Sequence, residues 1–353
     1  NYISNIYMVA INMEGADGTT IDGNEITNPD VTNPPSWGSA AINMDNSNAI
    51  TSKETNITKN RIHHQYGTSS SGGAVYYGIW GRDVGNGDMN INNNTIYDVK
   101  VTSEVGLIII GTRNAGKSTI YHNTAAIKGT GAGSPALFGC LFNGSTQNTV
   151  RNNNMEITFD RPGPHWGYFD RGTSIFDNNN AFIDRSGTGN PTTTDYYGQI
   201  GGTNIANLTA WQAQGRGPNS TDEFSNFLNY STGDLRPLNF TLNNTGVGLG
   251  VLDDINDSAR STTTPDVGAF EIKLDASVTA FPWTDFSVCG NFQDSVRITI
   301  KNNNFFPIKD VPVFYQINAA RVDEIDTTTI PAGGSVDYTF SKMAKFNDPG
   351  ANT

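Results

Sequence analysis

Residues 57–62 read Ile57-Thr58-Lys59-Asn60-Arg61-Ile62, and the same hexad, Ile-x-x-Asn-x-Ile, recurs along the first half of the chain. Further copies lie at 21–26 and 91–96, with looser ones at 120–123, 150–155 and 175–178. The aligned asparagines are Asn24, Asn60, Asn94, Asn123, Asn153 and Asn178, so successive copies are 25 to 36 residues apart. Internal repeats of this length and irregularity indicate a solenoid whose coils differ in loop length.

In each hexad β-branched residues flank the asparagine, and their spacing is not that of an amphipathic helix. The pattern predicts a strand, a bend and the next strand, because asparagine tolerates the left-handed backbone conformation of a sharp bend. Stacked amides can bond one another, so the six asparagines are predicted to form a structural ladder. A second motif, Ala10-Ile11-Asn12-Met13 and Ala41-Ile42-Asn43-Met44, alternates with the hexad and predicts a further strand in each coil.

Composition restricts the function classes. Only 16% of the 353 residues are charged and 38 are glycine, which fits a turn-rich β protein and argues against disorder. The net charge of −12 makes a nucleic-acid partner unexpected. The chain contains no apolar run near the roughly 20 residues of a membrane span, so membrane insertion is not expected.

The repeat resembles right-handed parallel β-helix proteins, the pectin-lyase-like superfamily in the broad sense, over residues 1–200. The alternative is a β-sandwich with asparagine-rich turns, which has no reason to repeat the hexad. The string Pro265-Asp266-Val267-Gly268-Ala269-Phe270-Glu271, after an Asp/Arg stretch at 253–260, resembles the closing segment of secreted bacterial β-helix proteins. A solenoid end is an exposed edge, so residues 201–273 are expected to be a capping segment.

From residue 274 onward, short alternating runs separated by turn signals predict an immunoglobulin-like (Ig-like) β-sandwich over 274–353. Residues 298–302 and 330–336 resemble CARDB-type adhesion modules of bacterial surface proteins. The expected fold class is therefore all-β: a β-helix, a capping segment and an Ig-like sandwich, with both chain ends truncated. The combination resembles secreted surface adhesins of Bacteroidota, many of which use type IX secretion. It implies secretion to the cell surface, with glycans or other surface and secretion-apparatus proteins as partners.

The densest polar and aromatic cluster lies at residues 159–171. β-Helix lyases need a base with acidic residues, and β-helix hydrolases need two or three carboxylates. If the protein is an enzyme, the candidate catalytic residues are Asp160, His165, Asp170 and Arg171. The first hypothesis is non-enzymatic adhesion or glycan contact, and the ligand-binding candidates are Trp166, Tyr168 and Trp80. The alternatives are a polysaccharide lyase or glycoside hydrolase, and a structural spacer.

Calcium is the one cofactor that the sequence suggests, with Asp83 and Asp88 as candidates in a loop that lacks regular ligand spacing. The pair His63-His64 has no third ligand nearby in sequence, which predicts surface residues and no metal site. Residues 111–118 satisfy the phosphate-loop pattern. Because Ser118 leads directly into the hexad register, we predict a turn there and no nucleotide site.

Overall fold

A computed structural model of the chain describes residues 1–31, 38–45, 53–65, 75–82, 88–99, 107–113, 117–130, 137–143, 148–160, 163–184, 193–282, 292–317 and 319–346. The chain divides into two compact units, Asn1–Glu271 and Ile272–Thr353. None of the helical segments in these described ranges has the length and apolar character that a membrane crossing needs.

The first unit is a β-solenoid followed by an irregular segment. In chain order its strands are β1 (Tyr2–Ser4), β2 (Val9–Glu14), β3 (Thr20–Asp22), β4 (Glu25–Asn28), β5 (Ser39–Asp45), β6 (Thr55–Thr58), β7 (Arg61–Gln65), β8 (Tyr76–Arg82), β9 (Met89–Asn92), β10 (Thr95–Tyr97), β11 (Leu107–Arg113), β12 (Ser118–Tyr121), β13 (Thr124–Thr130), β14 (Leu137–Asn143), β15 (Thr149–Arg151), β16 (Asn154–Asp160), β17 (Gly163–Asp170), β18 (Ile175–Asp177), β19 (Asn180–Ile183), β20 (Thr193–Ile200), β21 (Thr203–Ile205), β22 (Phe227–Asn229) and β23 (Asp234–Pro237). Helix α1 spans Leu208–Gln212, and short 3₁₀ helices span Tyr230–Thr232 and Phe240–Leu242. Of the stretch 111–118, residues 111–113 end β11 and Ser118 begins β12, while residues 114–116, where the turn is predicted, lie outside the described residues.

Three parallel sheets form the walls of the solenoid. Sheet A runs β1-β4-β7-β10-β13-β16-β19, sheet B runs β2-β5-β8-β11-β14-β17-β20, and sheet C runs β3-β6-β9-β12-β15-β18. Strand β21 adds to sheet B in the antiparallel direction. Each sheet takes one strand from each coil, so a residue stacks on its equivalent in the next coil. The predicted parallel β-helix is confirmed in this respect.

The first apolar position of the hexad forms a continuous column inside the solenoid. The strand register pairs Ile21, Ile57, Ile91, Ile120, Val150 and Phe176 in succession, and all six are buried. Sheet B contributes a second column that passes through Ile42, Ile79, Ile110, Cys140 and Tyr168. Burial of these side chains on the inner faces is the main source of solenoid stability.

The asparagine ladder is present and runs beside the first column. Side-chain amides join Asn1, Asn24, Asn60, Asn94, Asn123, Asn153 and Asn179 in sequence, each Nδ2 donating to the next Oδ1 at 2.9 Å. Between Asn24 and Asn179, each Oδ1 also accepts the backbone N–H of the preceding asparagine. At the far end, Ser220 Oγ accepts the backbone N–H of Asn179 at 3.2 Å. The ladder therefore satisfies buried polar groups within the interior.

Two details of the predicted ladder are wrong. The last member is Asn179 and not Asn178, because Phe176 fills the core column while Ile175 is 40% exposed. The left-handed backbone conformation belongs to the residue before each ladder asparagine, as at Asn93 and Asn178, whose φ values are 56° and 51°. The preceding residue makes the bend, and the ladder asparagine holds adjacent coils together.

Residues 244–271, here called the flank segment, lie along these bends. Their contacts reach the left-handed residues Lys59, Asn93, His122, Asn152 and Asn178 in five successive coils. Lys59 pairs with Asp253 and Asp257 at 2.9 and 2.6 Å. The sequence predicted that this part covers an end of the solenoid, but these contacts place it along the side.

Helix α1 packs near the last coils. Trp211 is fully buried, and its ring lies 5.1 Å from Phe176, 5.8 Å from Tyr197 and 5.9 Å from Tyr168. A side chain at Gly198 would place its Cβ 2.5 Å from the Trp211 ring, so glycine is required at that contact. These four aromatic rings form the part of the core at the last coils.

The second unit contains β24 (Ala276–Ala280), β25 (Phe292–Asp294), β26 (Arg297–Asn302), β27 (Val311–Ile317), β28 (Ala320–Asp326), β29 (Ser335–Thr339) and β30 (Ala344–Phe346). Its strands form the antiparallel sheets β24-β26-β29, β25-β30 and β27-β28. Buried Asn302 donates from Nδ2 to the carbonyl oxygens of Phe306, Ile330 and Pro331. The unit is all-β with antiparallel pairing, as the alternating pattern predicted.

Candidate functional site

The candidate catalytic residues on β17 point mainly into the protein. His165 Nδ1 lies 2.7 Å from Asp195 Oδ1, and both side chains are almost fully buried. Tyr168, predicted to bind ligand, lies in the core column, and burial raises the pKa of its hydroxyl well above the usual value. His165 and Tyr168 therefore contribute to the interior and do not offer a surface to a polymer.

Both carboxylate oxygens of Asp170 have partners within the protein. Its Oδ2 pairs with a guanidinium nitrogen of Arg216 at 2.6 Å, and its Oδ1 accepts Ser174 Oγ at 2.9 Å. The Arg216 guanidinium lies over the rings of Phe176 and Trp211 at 5.5 and 5.8 Å. This arrangement is that of a buried ion pair which anchors the turn after β17.

The described members of the predicted catalytic set do not lie together on one surface. Arg171 is exposed and its guanidinium lies 5.3 Å from the Phe169 ring. Asp160 ends β16, and its side chain lies outside the described part of the structure. His165 and Asp170 face inward on the same strand, so three of the four candidates do not converge as an acid–base group.

Trp166 lies between His165 and Gly167 on β17, outside the core column that contains Tyr168. Its ring stacks on Tyr196 at 6.1 Å with 19° between the planes, and meets Phe169 edge-on at 5.8 Å. Its indole N–H donates to Asn204 Oδ1 at 3.0 Å. Trp166 is only 8% exposed, so little of its ring is accessible to a ligand.

Trp80 borders a cleft of about 520 Å³ on the outer face of the first strands of sheet B. Tyr77 lies beside it, with ring centroids 4.5 Å apart and 35° between the planes. Exposed Tyr7 also lines the cleft. A cleft of this size with aromatic walls is typical of small-molecule and sugar sites.

Polar groups also line the same cleft. Asn43 Nδ2 donates to Asn12 Oδ1 at 2.7 Å, and Asp45 is a further lining residue. In the strand register Asn12 and Asn43 stack directly below Trp80. We refer to Tyr7, Asn12, Asn43, Tyr77 and Trp80 as the sheet-B cleft.

Trp80 was a ligand-binding candidate from the sequence, whereas the residues beside it in the cleft were not. Asn12 and Asn43 occupy the same place in the repeated Ala-Ile-Asn-Met motif, between the inward Ile and Met side chains. That alternation is the signal that could have placed both amides on the outer face. Tyr7 carries no comparable signal, because it precedes β2 in an irregular stretch.

Of the calcium candidates, Asp83 lies outside the described residues, and Asp88 is half-buried with its carbonyl oxygen accepting the N–H of Thr55 at 3.0 Å. Within the described ranges, no group of three or more His, Cys, Asp or Glu side chains is arranged to hold a metal ion. Comparison of the chain with protein-family models, with curated proteins and with solved structures finds no match.

Proposed function

We propose that this protein acts non-enzymatically in glycan contact, with the sheet-B cleft as the binding site. The observation that carries the proposal is the cleft itself: two adjacent aromatic rings beside a stacked pair of asparagine amides. Aromatic rings pack against the apolar faces of sugars, and amides hydrogen-bond hydroxyl groups. Both kinds of group occur within one cleft of suitable volume.

The strand register supports one orientation of the proposed glycan. Tyr77 and Trp166 occupy the same column of sheet B, three strands apart. Three strand spacings correspond to about 14 Å along the solenoid axis. We propose that an extended polysaccharide runs along this axis, held mainly at Tyr77, with Trp80 and Trp166, each 8% exposed, as secondary contacts.

The wider setting is part of the same proposal. The solenoid would present the cleft on a secreted, cell-surface adhesin that leaves through a type IX system. The second unit would be an Ig-like, CARDB-type module, which its antiparallel strand pairs support. The burial of His165 and Asp170 favours contact over cleavage, since a general acid–base pair must reach its substrate.

The test is a screen of the chain against acidic and neutral polysaccharides, with and without calcium, that records binding and released products together. Tyr77→Ala and Asn12→Ala should each weaken binding at least tenfold. Tyr2→Ala is the matched control, because Tyr2 is 65% exposed and lies on sheet A. Binding that survives both cleft substitutions would contradict the site, and polymer cleavage would favour the lyase or hydrolase alternative.

A further inference from the structure

A second group of aromatic and amide side chains lies at the other end of sheet B, four strands beyond Tyr77. In the strand register Tyr196 occupies the column of Tyr77, and Gln199 occupies the adjacent column, that of Trp80. Four strand spacings correspond to about 19 Å along the solenoid axis. The two columns that line the sheet-B cleft thus carry an aromatic ring and an amide again at the far end of the sheet.

The hairpin of β20 and β21 places Asn204 opposite Gln199. Its two-residue turn is Gly201-Gly202, whose φ values of 54° and 93° suit glycine. Asn204 Oδ1 accepts Trp166 Nε1 at 3.0 Å and Gln199 Nε2 at 2.7 Å. Two donors at one oxygen fix the orientation of the amide, so Asn204 Nδ2 is the group directed away from them.

Three polar groups here have no hydrogen-bond partner among the described residues: the Tyr196 hydroxyl, Gln199 Oε1 and Asn204 Nδ2. Asn204 is exposed, and Tyr196 and Gln199 are partly exposed. The Tyr196 ring is held by stacking on Trp166 at 6.1 Å with 19° between the planes. The group therefore offers donors and acceptors for sugar hydroxyls beside an aromatic ring. We call Tyr196, Gln199 and Asn204 the distal sheet-B site.

We propose that the distal sheet-B site binds a second stretch of the same glycan chain, so that the protein selects long polysaccharides over short oligosaccharides. This inference rests on the proposed function. A disaccharide is too short to span about 19 Å and occupies one site at a time, whereas a polymer occupies both. Once the chain is held at the cleft, its binding at the distal site is intramolecular, and the affinity rises without any change in either site.

The test compares two pairs of probes: mixed-linkage β-glucan with cellobiose, and polygalacturonate with digalacturonate. Affinity electrophoresis measures binding of the polymers, and NMR titration measures binding of the disaccharides. We expect Tyr196→Ala to weaken polymer binding by about tenfold and to leave the affinity for the matching disaccharide unchanged. Tyr77→Ala should weaken both, because the cleft of about 520 Å³ is the main site.

Asn204→Asp is a finer variant, because it keeps the oxygen that accepts Trp166 and Gln199 and loses the Nδ2 donor. It should weaken binding of the uncharged β-glucan by about fivefold. Thr203→Ala is the matched control, since Thr203 is the exposed neighbour of Asn204 on β21. It should leave both affinities unchanged, and thermal unfolding should show that all variants are folded.

The outcomes separate the distal site from the cleft. Polymer binding that depends on Tyr77 but survives both Tyr196→Ala and Asn204→Asp would overturn the distal site and leave the proposed function standing. Equal losses for polymer and disaccharide in Tyr196→Ala would also overturn it, because the disaccharide is held at the cleft. Binding of neither polymer by the wild type would overturn the proposed function and this inference together.

Discussion

Arg260 donates a hydrogen bond from its guanidinium to Oδ1 of Asn93, 167 residues earlier in the chain, at 2.9 Å. The same guanidinium meets Glu271 at 3.1 Å and the carbonyl oxygen of Gly268 at 2.9 Å, with no exposed side-chain surface. Asn93 forms a bend of the solenoid, so the Arg260 side chain links the flank segment to the coil. It also links Arg260 to Gly268 and Glu271 within the segment. The string at 265–271 thus has a structural role in this protein.

Arg260→Met should destabilise the first unit by about 3–5 kcal/mol, because it leaves Glu271 buried without its cation. Urea unfolding followed by circular dichroism measures the change. Arg236→Met is the control within the same unit. Arg236 pairs with Asp234 at 2.6 Å but is 37% exposed, so the cost should be about 1 kcal/mol or less. Equal losses in the two variants would show that burial of Arg260 is not decisive.

Neighbouring asparagines at the last bend should respond differently to substitution. Asn179→Ala removes the acceptor of the Asn153 side-chain and backbone N–H groups, which should cost about 3 kcal/mol. Asn178→Gly should cost less than about 1 kcal/mol, because glycine suits the left-handed backbone there. Chemical unfolding of both variants tests the register of the ladder, and the reverse order of stabilities would contradict it.

Gly268 should not tolerate a side chain. Its φ is 91°, and a Cβ would lie 2.6 Å from Thr124 Oγ1 and 2.9 Å from Asn154 Cβ. Gly268→Ala should therefore cost about 3 kcal/mol or more, from backbone strain and steric overlap together. Gly250→Ala is the control, with a φ of 77° and open space around the Cβ, and should cost about 1 kcal/mol. Thermal unfolding distinguishes the two.

His122 should make stability depend on pH. Burial, together with the charge of Arg260, lowers its pKa to about 3 in the folded state, against 6.5 for the unfolded chain. The unfolded state therefore binds the proton first, so folded stability is lost as pH falls below 6.5 and the loss levels off near pH 3. Between pH 6.5 and 5 the decrease should be about 2 kcal/mol.

The matched variant for His122 is His122→Asn, which keeps a donor and suits the φ of 55° at this bend. Between pH 6.5 and 5, the free energy of unfolding of His122→Asn should not show the decrease that protonation of His122 causes. Urea midpoints at several pH values provide the measurement. Parallel pH profiles for the two proteins would mean that His122 is not the titrating group.

Asp170→Asn should lower the stability of the protein and leave its glycan binding unchanged. Loss of the charge leaves Arg216 without its buried partner, which should cost about 3 kcal/mol. Asp22→Asn is the control, because Asp22 is exposed and accepts a hydrogen bond from Thr58, and its effect should stay within about 0.5 kcal/mol. A folded Asp170→Asn protein with unchanged stability but altered polysaccharide contact would contradict the structural role.

Much of the solenoid could be predicted from the sequence because its contacts repeat. A residue in a parallel coil stacks on its own equivalent, so periodicity alone identifies columns such as Ile57, Ile91 and Ile120. The error at Asn178 arose where the repeat weakens. Both Ile175 and Phe176 are apolar, and sequence alone could not decide which faces inward.

The candidate site was harder to predict, since it depends on which face each side chain takes. Trp80 lines the cleft, but Tyr168, also predicted to bind ligand, continues the inner column after Cys140. Asp170 and His165 were catalytic candidates because of their residue types. Their partners Arg216 and Asp195 lie 46 and 30 residues away in sequence. Such pairings leave no local pattern.

The sequence by itself determined that the first part of this chain is a parallel β-solenoid with an internal asparagine ladder, because strand stacking imposes one repeated pattern on every coil. Only the tertiary structure decided that residues 244–271 lie along the bends, and that Asn12, Asn43 and Trp80 share a cleft. It also decided that Asn204 joins the aromatic group at the other end of sheet B. These contacts join residues that differ from coil to coil, and their geometry depends on backbone turns and side-chain directions that no period in the sequence encodes.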